Sequence, residues 1–262
     1  MFNNQINLYN QADIQQIKES SLLVGKTLGV VAEKIAPGVF VSDLDRTAEQ
    51  FIRDHQAIPS FKGYNGYPAS LCISINDVVV HGIPKNQILK EGDIVSIDCG
   101  VYKNGYHGDY AYTFAVGEIS EEKRNLVERT KQSLYLGIEK AEAGMRTGDI
   151  GHAIQSYVES FGYGVVRELC GHGIGRNLHE SPEILNYGRP GKGVLLKKGM
   201  VFCIEPMINM KDKAIFMEND GWTIRTKDGA PSAHFEHQIA LTDQGTEILS
   251  TYKYIEEVLN KK

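Results

Sequence analysis

A chain of 262 residues is long enough to bury a full core and short enough to be one domain, so length alone does not demand two. With 42% hydrophobic and 23% charged residues the composition is that of a soluble globular protein, and a formal net charge of -5 argues against a general affinity for nucleic acid or an anionic membrane. The stretch from Met1 to Asn10 lacks the basic start and apolar run of a secretory signal, and no later apolar run approaches bilayer-spanning length, so a cytoplasmic protein with neither DNA nor membrane as partner is expected.

In chain order, Ile14, Ile17, Val24, Leu28, Val31 and Ile35 recur at helical spacing until Pro37-Gly38, which predicts an amphipathic helix. A second helix is predicted after Ser42, placed to cap it, with Leu44, Ala48, Phe51 and Ile52 on one face. Short strands and glycine-rich turns follow, and among them Asn104-Gly105 is a strong signal for a two-residue hairpin turn. That turn sets Lys103 against Tyr106, Gly100 against Asp109 and Asp98 against Ala111, which makes Asp98 and Asp109 diagonal neighbours on one face of a sheet. A third helix, capped near Ser120, carries Leu126, Val127, Leu134 and Ile138 until Ala143-Gly144 breaks it. Asp149-Ile150 opens a fourth, carrying Ile154, Tyr157 and Val158. Cys72, Cys99, Cys170 and Cys203 lie in apolar strand-like segments without C-x-x-C spacing, and buried free thiols are expected.

The second half repeats the first. The segment from Leu89 to Asp98 lies over that from Leu196 to Glu205 position for position, so Asp98 falls on Glu205. His107-Gly108-Asp109 matches His234-Phe235-Glu236, and His81-Gly82-Ile83 matches His172-Gly173-Ile174. A single domain over 1–262 is expected, made of two α/β halves, about 11–117 and 118–250, related by approximate twofold symmetry with their acidic strands facing each other.

Two adjacent carboxylates are unfavourable without a shared proton or a cation, and Glu205 and Glu236 add two more acids to apolar strands. A metal centre is the economical explanation, with Asp98, Asp109, His172, Glu205 and Glu236 as ligands and Gly171, Gly173 and Gly175 leaving room for close approach at His172. An oxygen-rich set with one imidazole suits divalent Mn, Fe, Co or Zn without choosing among them. Two ions fit four carboxylates better than one, and a bridged pair can ionise a water between them.

These residues resemble the methionine aminopeptidase family over nearly the whole chain, from about Ile14 to Ile255. The resemblance rests on Ser70 to Asn76, His81-Gly82-Ile83-Pro84, Asp98-Cys99-Gly100, Gly108-Asp109, Gly171-His172-Gly173-Ile174-Gly175, Ile204-Glu205-Pro206-Met207 and Phe235-Glu236-His237, in matching order and spacing. It implies the pita-bread fold, an α/β (α+β) architecture of two pseudo-twofold-related halves around a central antiparallel sheet. It also implies removal of the N-terminal methionine from newly made polypeptides, with a small uncharged second residue preferred. By the same resemblance Asp98 would chelate one ion, Asp109 and Glu236 would bridge both, and His172 with Glu205 would complete the second site. His81 and His179 match the family's substrate-contacting histidines, and Tyr64, Tyr67, Cys72 and Trp222 fall where it lines its methionine pocket. The implied reaction is attack of a two-metal-activated water on the first peptide bond, with His179 at the oxyanion, His81 near the departing amine and Glu205 as proton shuttle.

Leu178, Phe61, Tyr110 and His234 depart from the family's commonest residues, none of them as a ligand, which leaves pocket shape and the groups behind the ligands open. Too few residues separate His172 from Glu205 for the insertion of the family's second type, so the short, bacterial-like first type is expected. Prolidase and aminopeptidase P share fold and ligands but normally carry an additional N-terminal domain, for which there is no room before Ile14. A binding module that no longer catalyses would have lost ligands, and all five are present. A monomer is expected, while a transient ribosome contact and the physiological metal stay open.

Overall fold

The computed structural model describes residues 5–261; Met1 to Asn4, and with them part of the segment read for a signal, lie outside. Two long helices open the fold. In α1 (Gln11–Lys34) Asn10 and Asp13 cap each other's main chain, the Asp13 amide donating to Asn10 Oδ1 at 2.9 Å and the Asn10 amide to Asp13 Oδ2 at 3.3 Å. The second helix, α2 (Val41–Asp54), corrects an expectation: it starts one residue before Ser42, and Phe40 stands at the cap position with no side-chain cap. Its entry is set by the main chain instead, since the Val41 amide donates to the Gln87 carbonyl at 3.0 Å and Phe40 bridges to Ile88. Ser120 caps α3 (Glu121–Ile138) as expected, accepting from the Lys123 amide at 3.3 Å. The helix ends at Ile138, before Ala143-Gly144. Asp149 lies inside α4 (Thr147–Glu159), where its carboxylate accepts from the Arg146 amide at 2.8 Å and closes the first turn. A short α5 (Lys253–Leu259) follows the last strand.

The first half of the chain holds β1 (Ile58–Pro59), β2 (Leu71–Ile75), β3 (Val78–Val80), β4 (Ile94–Lys103) and β5 (Tyr106–Ala115). The second holds β6 (Gly164–Val165), β7 (Gly171–Gly173), β8 (Glu180–Ile184), β9 (Val201–Ile204), β10 (Met207–Asn209), β11 (Ile215–Met217), β12 (Ile224–Thr226), β13 (Ser232–His234), β14 (His237–Thr242) and β15 (Gly245–Ile248). In one sheet β4 is paired with β2 and β5, and β1 joins its far end; in another the order is β15-β14-β9-β7-β8, and both are antiparallel. The hairpin of β4 and β5 has the register read from its turn: Lys103 faces Tyr106, Gly100 faces Asp109 and Asp98 faces Ala111. Asn104 and Gly105 take φ of 53° and 87°, the paired left-handed conformation that such a turn requires.

The two halves meet where the acids are. The Glu236 amide donates to the Ala111 carbonyl at 3.1 Å and the Asp109 amide to Gln238 Oε1 at 3.3 Å, so β5 runs beside the start of β14. Tyr252 sits over this junction, accepting from the Glu236 amide at 3.2 Å with the Glu236 and Ala111 carbonyls 2.7 and 3.0 Å from its hydroxyl. One contiguous core of buried side chains, including Leu28, Phe114, Leu126, Phe202 and Phe235, spans both halves. The acids do not sit equivalently in it. Asp98 and Asp109 are diagonal, whereas the last pair of the β9–β14 ladder is Ile204 with His237, which sets Glu205 and Glu236 opposite each other just beyond its end. The thiols are free; Cys72, Cys99 and Cys203 are buried as expected, but Cys170 is half-exposed, because it stands at the lip of a cavity rather than in the core.

Helix α1 crosses β5 at Gly108, where an added Cβ would lie 2.3 Å from the Ser21 amide nitrogen and 2.5 Å from Ser21 Cα. These are main-chain atoms that no rotamer change can move. Gly108→Ala is therefore expected to lower stability by about 2–3 kcal/mol in urea unfolding, the cost of overpacking a tight contact. A loss under about 0.5 kcal/mol, the range of an uninvolved surface site, would mean that α1 shifts freely over the sheet.

Candidate metal centre

Five elements aim the candidate ligands at one point. Asp98 comes from β4, Asp109 from β5 and His172 from β7, while Glu205 follows β9 and Glu236 precedes β14. Asp109, His172 and Glu236 are buried, at 3, 5 and 2% exposure, and Asp98 and Glu205 half-buried. One carboxylate oxygen each of Asp98, Asp109 and Glu236 lie within 4.8 Å of one another, and a second group joins Glu205, His234 and Glu236 within the same distance. Glu236 is common to both. His172 Nε2 is 3.7 Å from Glu205 Oε1. Its Nδ1 is 2.9 Å from the Gly173 carbonyl, which can only accept, so the ring proton sits on Nδ1 and the Nε2 lone pair faces the acids. The glycines beside His172 make room for main chain rather than for a ligand: a Cβ at Gly171 would lie 2.3 Å from the Cys203 carbonyl, and one at Gly173 2.3 Å from that of Ser181.

The electrostatics of the cluster call for a compensating positive charge. Asp98 Oδ1, Asp109 Oδ1, Glu236 Oε1 and His234 Nε2 are buried with no hydrogen-bond partner, and among the described residues no lysine or arginine pairs with any of the four acids. Burial pushes the Asp98 carboxyl up and holds those of Asp109, Glu205 and Glu236 well above the usual carboxylate range. The charges of Glu236, Asp98 and Glu205 add to the effect at Asp109, those of Glu205 and Asp98 at Glu236, and that of Asp98 at Glu205. Burial lowers His81, His172 and His234 to about 4, which keeps them neutral near pH 7. Unmet acceptors beside neutral imidazoles fit a divalent cation and do not fit an internal ion pair. The Cys203 thiol also lies within 4.8 Å of donor atoms of His172 and Glu236. Burial and then the charges of Glu236 and Asp109 push it well up, so it remains a protonated thiol, 3.8 Å from the Asp109 carbonyl.

A cavity of about 350 Å³ opens over these residues. Tyr64, Tyr67, Cys72, Trp222, His81 and His179, all expected from the sequence, line it together with the acids and His172. Trp222 stands edge-on to Tyr67 at 5.1 Å, and the Tyr67 hydroxyl lies 3.0 Å from the carbonyls of Leu71 and Gly82, so its polar end is satisfied in the wall. His179, exposed at the mouth, is 2.8 Å from the Tyr64 hydroxyl through Nδ1 and edge-on to His172 at 4.3 Å. Of the four unusual positions, Phe61 and Leu178 line the cavity, whereas Tyr110 points into the core and donates to the Thr251 carbonyl at 2.7 Å. The fourth, His234, singled out in the sequence as a departure behind the ligands and not as a ligand, reaches the acids themselves.

The family model of metallopeptidase family M24 matches residues 15–243. The methionine aminopeptidase of Clostridium acetobutylicum is 52% identical over 242 residues, 92% of this chain and 97% of that protein. Among solved structures, methionine aminopeptidase from Rickettsia prowazekii superposes with a TM-score of 0.93 at 42% identity, covering 94% of this chain and 100% of that one. Prolidase from Pyrococcus furiosus superposes with a TM-score of 0.77 at 22% identity over 93% of this chain and 65% of that one, a likeness that shows the fold alone. The pita-bread fold expected from the sequence is the fold of this chain.

Stability of the metal-free protein should depend on pH in a defined direction. The four carboxyls have folded pKa values above their unfolded ones, so their contribution is present at low pH and is lost as pH rises. His81, His172 and His234, lowered from 6.5 to about 4, oppose folding below 6.5 and are silent above it. Above pH 6.5 the histidines no longer oppose folding, and the raised carboxyls, joined towards pH 8.5 by the buried thiols, lose their contribution as pH rises, so the Tm of protein stripped with a chelator is expected to fall across that window, with saturating Mn(II) reducing the fall. A Tm that rises across that window would mean that the protein itself compensates these charges.

Proposed function

The chain belongs to metallopeptidase family M24, and on that premise we infer that it is an aminopeptidase that removes the N-terminal methionine from newly made polypeptides. The observation that carries this reading is a set of buried acceptors with no hydrogen-bond partner among the described residues, at the floor of a cavity walled by aromatic rings and a thiol. An unbranched thioether suits such a wall, because sulfur and aromatic edges attract and a flexible chain fills an irregular space. The chain spans 97% of the length of its Clostridium acetobutylicum relative, whose name states the same activity.

Two divalent ions, of Mn, Fe, Co or Zn, would be held by Asp98, Asp109, His172, Glu205 and Glu236, with Asp109 and Glu236 shared between them. When bound, the ions supply Lewis acidity for the scissile carbonyl and for activation of a water. The remaining roles fall to the chain. Glu205, grouped with His234 and Glu236 at the centre, would take a proton from the attacking water and return it to the departing amine. His179 Nδ1 lies 2.8 Å from the Tyr64 hydroxyl; with that hydroxyl as donor the neutral ring would carry its proton on Nε2 and donate it to the developing oxyanion. His81, held in a left-handed conformation at φ 57° with its ring edge-on to Trp222, would contact the substrate amide near the leaving nitrogen. Tyr64, Tyr67, Cys72 and Trp222 would enclose the methionine side chain.

We extend the reading to a preference for small uncharged second residues, to a monomeric enzyme of the short first type, to work in the cytoplasm where new chains emerge, and to transient contact with the ribosome. No helix among the described residues is long and apolar enough to cross a membrane. We read 1–262 as a single catalytic domain built from a repeat, about 11–117 and 118–250; the core common to both halves supports this.

Chelator-stripped protein given Mn, Fe, Co or Zn singly should release free methionine from Met-Ala-Ser and none from the N-acetylated peptide. Release with no metal at all would overturn the metal reading, and faster cleavage of Xaa-Pro peptides would move the assignment to the prolidase side of the fold. Changing His179→Ala is expected to lower kcat about 10²–10³-fold, the usual cost of one oxyanion donor, with a smaller change in KM. An unchanged kcat would remove His179 from the reaction.

A further inference from the structure

We propose that His234 supplies a second imidazole nitrogen to the metal centre, beside His172. This rests on the two-ion reading above and goes beyond its five ligands. His234 closes β13 opposite Met207 and is 2% exposed. Its Nε2 is buried, has no hydrogen-bond partner, and lies 3.6 Å from Glu205 Oε2, while the other oxygen of Glu205 lies 3.7 Å from His172 Nε2. Glu205 therefore stands between two imidazoles, one on each oxygen.

The spacing is informative. Both contacts are too long for hydrogen bonds. Two donors each about 2.0–2.2 Å from one ion, however, sit roughly 3–3.7 Å apart at bond angles between 90° and 120°. Donor atoms of His234, Glu205 and Glu236 also lie mutually within 4.8 Å, a group complete without His172.

The main chain that carries the ring is fixed. Thr113 grips the His234 main chain from the other half, accepting from its amide at 3.0 Å and donating to its carbonyl at 2.7 Å. Burying a ring nitrogen with no partner is costly, and a cation between it and the carboxylates removes that cost. His107, the counterpart in the first half, is instead held by the Ser60 hydroxyl at 2.9 Å. The two ion positions thus differ: Asp98, Asp109 and Glu236 offer oxygen alone, whereas Glu205 and Glu236 are joined by two nitrogens. Imidazole donors favour Zn and Fe over Mn, so His234 biases one position towards those ions.

The count of coordinated imidazoles tests this. In the full chain loaded with two equivalents of Co(II) and labelled with ring-¹⁵N histidine, each coordinated ring gives a proton–nitrogen signal displaced by the paramagnetic ion. Two such histidine signals are expected in the wild-type protein and one in both His234→Gln and His234→Asn, with Co(II) affinity weakened about 10–100-fold in the variants. Circular dichroism of the metal-free variants controls for folding, and the wild-type count stands without them. One displaced signal in the wild type, unaltered in both variants, overturns the role of His234 and leaves the metal centre intact. No displaced histidine signal at all overturns the metal centre and this inference with it.

Discussion

Four carboxylates brought to one point at the floor of a cavity are the constraint on which this fold turns. Without a cation they are held protonated or repel one another, and a chain that gathers them must supply the opposing stability elsewhere. It does so with a core common to both halves and with main-chain hydrogen bonds that cross between them. Asp109 and Glu236 are held by neighbours of the opposite half: the Asp109 amide by Gln238, the Glu236 amide by Ala111. Each half thus orients the other's acid, and neither hairpin alone would make the site.

The repeat produces similarity without equivalence. The first half presents its two acids as diagonal neighbours within a continuous ladder, the second as facing residues beyond the end of one. The same His-x-acid pattern sends His107 to a serine in the first half and His234 towards Glu205 in the second. A pair of ions between such halves would meet one oxygen-rich and one nitrogen-richer environment, which suits a division of labour between orienting a substrate and activating a water.

Around that centre the protein shapes a cavity from segments that strands alone do not specify. Tyr67 and Trp222 meet edge to face, and the main chain absorbs the Tyr67 hydroxyl, so this part of the cavity wall stays apolar. His179 is tied to Tyr64 at the mouth, and Cys170 stands half-exposed nearby, the one thiol that escapes the core.

The sequence by itself determined whatever depends on neighbours along the chain. Asn104-Gly105 set the hairpin register, hence the relation of Asp98 to Asp109, because a two-residue turn leaves the strands no other alignment. Ser120 capped its helix for the same local reason. Asp98, Asp109, His172, Glu205 and Glu236, with Tyr64, Tyr67, Cys72 and Trp222, were also legible as candidates from pattern, repeat and resemblance, and the fold brings them to one cavity. Ser42 failed as a cap because Gln87, distant in sequence, holds the main chain at Val41. The facing of Glu205 and Glu236 depended on a ladder between strands some thirty residues apart, whose end no turn dictates. His234 was readable as a residue but not as a participant, because its aim depends on Thr113 in the opposite half. Side-chain direction across a tertiary junction is set by packing and hydrogen bonds between distant segments, and only the folded chain decides it.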